Sequence, residues 1–149
     1  ADSRAFMAAL ALGAQAVQMG TAFIPTKECH VHQAYKEAIV ASQDTDTVIT
    51  QRAIGTRIRG LKNPHSLKVL ELDQQGAAEE LRAFLGLGKA REGQMEGDIE
   101  NGELQIGQVA GSVTEIKEAG DVVRDIIGGA SAVIERCRRI QSQEEEGVC

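Results

Sequence analysis

The chain is 149 residues long, which favours a single globular unit, and 42% of its residues are hydrophobic while only 3% are aromatic. The core is therefore expected to consist of Ala, Val, Ile and Leu, with few rings available for stacking on nucleobases. The net charge of -6 argues against a nucleic-acid-binding protein, because such proteins normally present a basic surface to phosphates.

The three cysteines, Cys29, Cys137 and Cys149, are an odd number at wide spacing. They indicate reduced thiols rather than a disulfide framework, which favours a cytoplasmic protein. No run of residues is long and apolar enough to suggest a membrane span, and no basic leader precedes the apolar residues 5–13 to suggest a signal peptide. The sequence opens on Ala1 and enters helical sequence at once, which we interpret as a truncated or processed start.

The first elements follow the order helix, glycine, strand, glycine. Residues 3–12 predict a well-buried helix with Asp2 or Ser3 as N-cap and Gly13 as its stop. The short apolar run at residues 16–19 predicts a buried strand of an α/β unit.

The middle of the chain alternates between helical and extended patterns. Residues 31–41 predict a second helix, and residues 46–50 and 56–59 predict a short hairpin because they are β-branched and flank Gly55. Two short helices are expected at residues 66–75 and 77–85, split by Gly76.

The last third is glycine-rich and then strongly helical. Residues 86–102 contain five glycines and predict loops with at most one short helical piece, whereas residues 104–113 are expected to be helical. Asp121 is the expected cap of the longest helix, at residues 121–140, and the polar residues 141–149 are expected to fray.

One strong strand and a hairpin cannot form a parallel sheet that is buried on both faces. The remaining strands are therefore expected in a missing N-terminal region or in a partner chain.

The most informative motif spans residues 13–23, GAQAVQMGTAF. A strand is expected to end at Gln18 and Met19, and Gly20 is expected to begin a turn with positive φ, where the lack of a Cβ lets an anion reach backbone N–H groups. Thr21 adds a hydroxyl donor. In (β/α)₈ barrels the loops after the last strands commonly bind phosphate, although a plain tight turn remains an alternative.

Residues 5–23, with the pattern AxxxALALGAQAVQMGTAF, resemble the last helix–strand unit of the nitronate monooxygenase family, formerly called 2-nitropropane dioxygenases, which includes the flavin-dependent enoyl-acyl-carrier-protein reductases. Further similar segments follow in order along nearly the whole chain. They are residues 28–39, 59–63, 96–102 and 107–111.

The resemblance implies an α/β fold, namely the C-terminal portion of an FMN-binding (β/α)₈ TIM barrel at residues 1–24 and a small, mostly helical subdomain at residues 25–149. It also implies that Gln18, Met19, Gly20 and Thr21 close on the phosphate of FMN. The chain departs from the family at Ala22, where a basic residue is usual. It also lacks the N-terminal strands that carry the catalytic His and the rest of the flavin site.

Other candidate sites are weaker. Cys29, His30 and His32 offer three potential metal ligands but no second cluster, and Cys29 with His32 lacks an orienting third group for nucleophilic catalysis. We therefore assign no metal ligand and no catalytic residue to this chain. The acidic side chains in residues 96–103 are expected to form a solvated loop, and Gln108 either approaches the active-site mouth or is an ordinary helix residue.

The expected parent protein is an FMN-dependent oxidoreductase that either oxidises alkyl nitronates with O₂ or reduces enoyl thioesters with NAD(P)H. The tail, with its GDxxxG and GQxxG segments, resembles the reductase branch more closely. The chain alone is expected to be inactive. Expected partners are FMN and a small-molecule or acyl-thioester substrate, with neither nucleic acid nor membrane, and with self-association or pairing to the missing N-terminal part. The alternative is a non-catalytic interaction fragment that pairs through its open barrel face.

Overall fold

A computed structural model describes residues 2–147, without the side chains of residues 141 and 143–147. Six helices and two strands are regular in this part of the chain. They are α1 (Ser3–Ala11), α2 (Gln33–Val40), β1 (Thr47–Thr50), β2 (Ile58–Leu61), α3 (Pro64–Gln74), α4 (Ala78–Leu85), α5 (Lys89–Gln94) and α6 (Ala119–Gly147). Short 3₁₀ turns lie at Thr21–Phe23, Arg52–Ile54 and Gln108–Ser112.

Local signals account for the helix ends. The Asp2 carboxylate accepts the Ala5 N–H at the start of α1, and Gly13 follows its end with φ +95°, a conformation that glycine adopts without strain. Asn63 and Ser66 form a reciprocal capping box at the start of α3, where Pro64 occupies the first turn. Helix α1 is nevertheless not well buried as predicted, since none of its residues is fully buried.

The predicted hairpin is confirmed. Strands β1 and β2 pair antiparallel with Thr47 opposite Leu61 and Thr50 opposite Ile58. An isolated antiparallel bridge joins Gly60 to Gln105, so the segment after the glycine-rich loop lies against β2. The prediction of a helix at residues 104–113 is therefore wrong: Leu104 to Gly107 are extended, and only the five residues from Gln108 form a 3₁₀ turn.

The predicted strand at residues 16–19 is also wrong. These residues are irregular, and in the described part of the chain β1 and β2 form the only sheet. A strand exists only where a neighbouring strand accepts and donates its backbone hydrogen bonds. Residues 16–19 have no such neighbour within residues 2–147, so their apolar character alone does not give them strand geometry.

Two apolar clusters form the core. The first packs α2 against β2 and the extended segment before the last 3₁₀ turn, through Tyr35, Ile39, Leu61, Leu104, Ile106 and Ala110. The second packs α3 against α4 through Val69, Leu72 and Leu81. Because α2, β2 and the segment from Leu104 share one cluster, the start of the last 3₁₀ turn is fixed relative to the middle of the chain.

Helix α6 packs on α1 and continues past the range expected for it. An added Cβ on Gly129 would lie 2.5 Å from the Ser3 hydroxyl oxygen, so the two helices are in close contact at this glycine. The helix begins at Ala119, with Asp121 in its first turn, and its bounds extend to Gly147. Val148 and Cys149, which belong to the predicted frayed tail, lie outside the described residues. No helix in the described part of the chain has the length and apolarity required to cross a membrane.

Candidate phosphate-binding loop

The predicted site residues lie where the irregular segment after α1 turns into the 3₁₀ turn Thr21–Phe23. The Phe23 N–H donates to the Gly20 carbonyl at 2.9 Å, and the Ile24 N–H donates to the Thr21 carbonyl at 3.3 Å. Gly20 has φ -103° and ψ -67°, which lies outside the left-handed region. The expectation of a positive φ at Gly20 is thus wrong, and the reason for a glycine here is space rather than backbone strain.

Several hydrogen-bond donors of this loop have no partner. Among the described residues, no acceptor receives the backbone N–H of Gly20, Thr21 or Ala22. A Cβ added to Gly20 would meet no atom within 4 Å, and Gly20 itself is exposed. The turn therefore presents free donors beside open space, which is the arrangement that backbone anion sites use.

Thr21 is buried, with 8% of its surface exposed. Its Oγ1 accepts the N–H of Gly107 at 2.7 Å, across 86 residues of sequence. A threonine hydroxyl has one proton to donate as well as two lone pairs, and within the described residues no acceptor takes the proton. The Thr21 hydroxyl thus adds a fourth donor to the loop.

The other two predicted residues, Met19 and Gln18, do not provide donors to the turn. Met19 lines an apolar cavity of about 190 Å³ that also contacts Phe6, Phe23 and Ile126, so its side chain belongs to the packing of α1 on α6. Of the four predicted residues, Gly20 and Thr21 therefore provide the hydrogen-bond donors. Met19 packs between α1 and α6, and Gln18 is exposed.

A second, larger cavity of about 300 Å³ lies beyond Ala22, next to the start of α1 and α6. Its charged wall is Lys117, whose Nζ lies 2.7 Å from both Glu115 and Asp125. Hydrogen bonds to Asp125 and Glu115 raise the pKa of Lys117, so it stays protonated while two carboxylates offset its charge. One positive charge beside two negative ones repels an anion, so the Gly20 turn is the better candidate for a phosphate.

Two side chains that fix the neighbourhood of the loop were missed by sequence reasoning. The Tyr35 hydroxyl donates to the Gln105 carbonyl, two residues before Gly107, and burial raises the pKa of Tyr35. The Lys36 Nζ, on the next residue of α2, donates to the Thr26 carbonyl at 2.6 Å just after the loop. Both residues are at least 95% buried. A buried Tyr or Lys needs a hydrogen-bond partner, but the sequence alone does not show which residues of α2 are buried.

His32, one of the potential metal ligands near Cys29, has a structural role. His32 caps α2, because its Nδ1 accepts the Ala34 N–H at 3.1 Å. Gly97, with φ +84°, packs so closely on the imidazole that an added Cβ would lie 2.3 Å from Nδ1. No group of three His, Cys, Asp or Glu side chains in the described part of the chain is arranged to hold a metal ion.

The acidic residues after α5 also organise the backbone. The Asp98 carboxylate accepts the N–H groups of Glu100 and Asn101, and the hydrogen bond from Asn101 lowers the pKa of Asp98. The Glu103 carboxylate accepts from the side chains of Gln51, at 2.7 Å, and Gln105. Asp98 therefore closes a turn, and Glu103 joins two glutamine side chains, so both carboxylates have structural partners.

Comparison with known proteins identifies relatives of this chain. Probable nitronate monooxygenases of Staphylococcus saprophyticus and Staphylococcus haemolyticus are 43% and 45% identical to it over 74 and 62 residues, which are 50% and 42% of this chain. The matched segments are only 21% and 17% of those relatives. The chain thus spans about a fifth of the length of the curated relatives it matches.

Solved structures match over a longer stretch. FabK from Thermotoga maritima superposes with a TM-score of 0.88 and 38% sequence identity, covering 94% of this chain and 44% of that chain. A mutant of the same FabK gives a TM-score of 0.80 at 37% identity, with 94% and 42% covered. The family described as nitronate monooxygenase matches residues 1–129, so the chain belongs to the nitronate monooxygenase family.

Proposed function

We propose that this chain supplies the FMN-phosphate loop and the C-terminal part of an FMN-dependent oxidoreductase. Residues 1–24 are assigned to the end of a (β/α)₈ barrel, and residues 25–149 to the mostly helical subdomain that follows it. Family membership and the superposition on 44% of FabK support this assignment. In this assignment the apolar residues 16–19 would contact the remainder of the barrel.

The observation that carries the proposal is the cluster of unused donors at the Gly20 turn. Three backbone N–H groups and the Thr21 hydroxyl proton lack acceptors within the described residues, and a Cβ added to Gly20 would meet no atom within 4 Å. A phosphate monoester offers several oxygen acceptors to such donors at once. The donor set therefore fits the phosphate end of FMN.

The chemistry of the parent would come from the bound flavin, which transfers electrons between a donor and an acceptor. The residues of this chain bind and orient it by its phosphate. The donors are neutral, and Ala22 stands where the family usually has a basic residue. The chain therefore contributes hydrogen bonds rather than charge to the phosphate, and most of the affinity must come from contacts outside this loop.

Of the two reactions that the family suggests, we propose NAD(P)H-dependent reduction of an enoyl thioester. The GDxxxG and GQxxG segments at residues 97–102 and 107–111 resemble the reductase branch. FabK from Thermotoga maritima superposes on 94% of the chain at 38% identity. Oxidation of alkyl nitronates by O₂ is the competing reaction.

The cofactor assignment is tested in the full protein with Gly20→Val. The φ of Gly20 lies outside the left-handed region, and an added Cβ meets no atom within 4 Å, so we expect the variant to fold. The valine side chain would occupy the space that the phosphate needs. Gly128→Val is the matched control, because Gly128 is an exposed glycine of α6 that also has open space around an added Cβ. Flavin content after purification with excess FMN, and the melting temperatures of the flavin-free forms, are measured.

We expect the Gly20 variant to lose FMN at an unchanged flavin-free melting temperature, while the control keeps it. Full FMN occupancy of the Gly20 variant would refute the phosphate loop. The reaction is distinguished on the flavin-loaded protein by enoyl-thioester-dependent oxidation of NAD(P)H against nitronate-dependent uptake of O₂. A protein that binds no flavin and catalyses neither reaction would favour the interaction fragment. For such a fragment the apolar cavity beside Met19, with Val17 38% exposed at its edge, is the candidate contact surface.

A further inference from the structure

The Thr21 side chain connects the candidate phosphate loop to a segment near the C-terminal helix. Its Oγ1 accepts the Gly107 N–H at 2.7 Å, and an added Cβ on Gly107 would lie only 3.0 Å from that oxygen. The two backbones approach closely because Gly107 has no side chain. This contact is partly buried, and Thr21 itself is only 8% exposed.

The connected segment is the 3₁₀ turn Gln108–Ser112, which begins immediately after Gly107. Its buried Ala110 enters the first core cluster, while Gln108 and Val109 are exposed. The Ala110 N–H donates to the Gly107 carbonyl at 3.2 Å, so the position of Gly107 sets the start of the turn. Thr21 therefore fixes where the exposed Gln108 lies relative to the Gly20 turn.

The hydrogen-bonding capacity of the hydroxyl suggests a link between the two sites. Thr21 uses a lone pair on Gly107 and retains a proton that no described residue accepts. The hydroxyl would donate a hydrogen bond to an anion at the Gly20 turn. Hydrogen bonds in such a chain polarise one another, so a hydroxyl that donates to an anion becomes a stronger acceptor for the Gly107 N–H.

We propose that Thr21 is a positioning residue that couples occupation of the phosphate site to the ordering of the turn Gln108–Ser112. This inference rests on the proposed function, because it takes the FMN phosphate as the anion at Gly20. Coupling between two sites is reciprocal, so a change at Gly107 must alter FMN affinity although Gly107 belongs to another segment of the chain.

The test uses the full protein with Thr21→Val, which keeps the shape but removes the hydroxyl, and Thr21→Ser, which keeps the hydroxyl. FMN affinity is measured by fluorescence titration. Hydrogen exchange is followed on a peptide spanning residues 105–113, with and without saturating FMN. In the natural protein and the Ser variant we expect FMN to slow exchange in this peptide. In the Val variant we expect about tenfold weaker FMN binding, because one hydrogen bond to a charged acceptor is lost, and equal exchange with and without FMN.

A second variant guards against a folding defect at Thr21. Gly107→Ala presses a methyl group towards Thr21 Oγ1 and should weaken FMN binding severalfold without removing any donor. FMN binding that is unchanged in Gly107→Ala, or exchange that FMN still slows in Thr21→Val, overturns the coupling and leaves the phosphate loop intact. Unchanged FMN binding in Gly20→Val instead overturns the proposed function itself.

Discussion

Gly102 packs directly against the backbone of Gly93 in α5, and we expect this position to tolerate no side chain. A Cβ added to Gly102 would lie 2.2 Å from the Gly93 Cα and 2.7 Å from the Asp98 carbonyl oxygen. Both neighbours are backbone atoms, and ordinary carbon–carbon contacts begin at about 3.5 Å. In Gly102→Ala, helix α5 and the loop must therefore separate by about 1.3 Å.

This separation disturbs specific interactions. The Glu103 N–H donates to the Lys89 carbonyl at 2.8 Å, and the next residue, Leu104, is a member of the main core. Overpacking ordinarily costs about 1–3 kcal/mol, and rigid backbone on both sides places this case at about 3 kcal/mol or more. For a domain of 150–250 residues that corresponds to a fall in Tm of about 6–12 °C, and the fall becomes smaller as the length of the unfolding chain increases.

Thermal and urea unfolding of the full protein, followed by circular dichroism, measure the effect. Gly128→Ala is the control, because an exposed glycine inside α6 with open space around it should gain about 0.5–1 kcal/mol from the better helix former. A Gly102→Ala protein that melts within about 1 °C of the natural protein would refute the contact, since no backbone can absorb a 2.2 Å approach without cost.

Two further predictions concern acid stability and the isolated chain. His65 is 4% exposed, its Nε2 lacks a partner among the described residues, its ring stacks on Phe84, and burial lowers its pKa. The neutral form is therefore favoured in the folded state. Its contribution to the free energy of unfolding is complete above the unfolded pKa of about 6.5 and is lost as pH falls through the lower folded pKa. Between pH 7.5 and pH 5, the free energy of unfolding measured with urea should therefore fall less in His65→Phe than in the natural protein. The isolated 149-residue chain should bind FMN only weakly, because its loop offers neutral donors to the phosphate and nothing to the flavin ring; low-micromolar binding in a fluorescence titration would contradict this.

Much of the secondary structure was predictable because its signals are local. The Asp2 cap and Gly13 stop delimit α1, and Asn63 with Pro64 opens α3. The β-branched strands β1 and β2 pair with each other across a short connection. In each case a few neighbouring residues contain the whole physical cause, so no distant contact was needed to predict the element.

The sequence alone determined the family resemblance and the position of the donor loop at Gly20 and Thr21, because a short motif specifies both. Only the tertiary structure decided that Gly20 has an ordinary negative φ, that residues 16–19 are not a strand, and that Thr21 accepts the N–H of Gly107. A strand depends on hydrogen bonds to a neighbour, and the Thr21–Gly107 contact joins residues 86 positions apart. Such pairings are set by the packing of α2, β2 and the segment from Leu104 into one core, and no local pattern in the sequence contains that information.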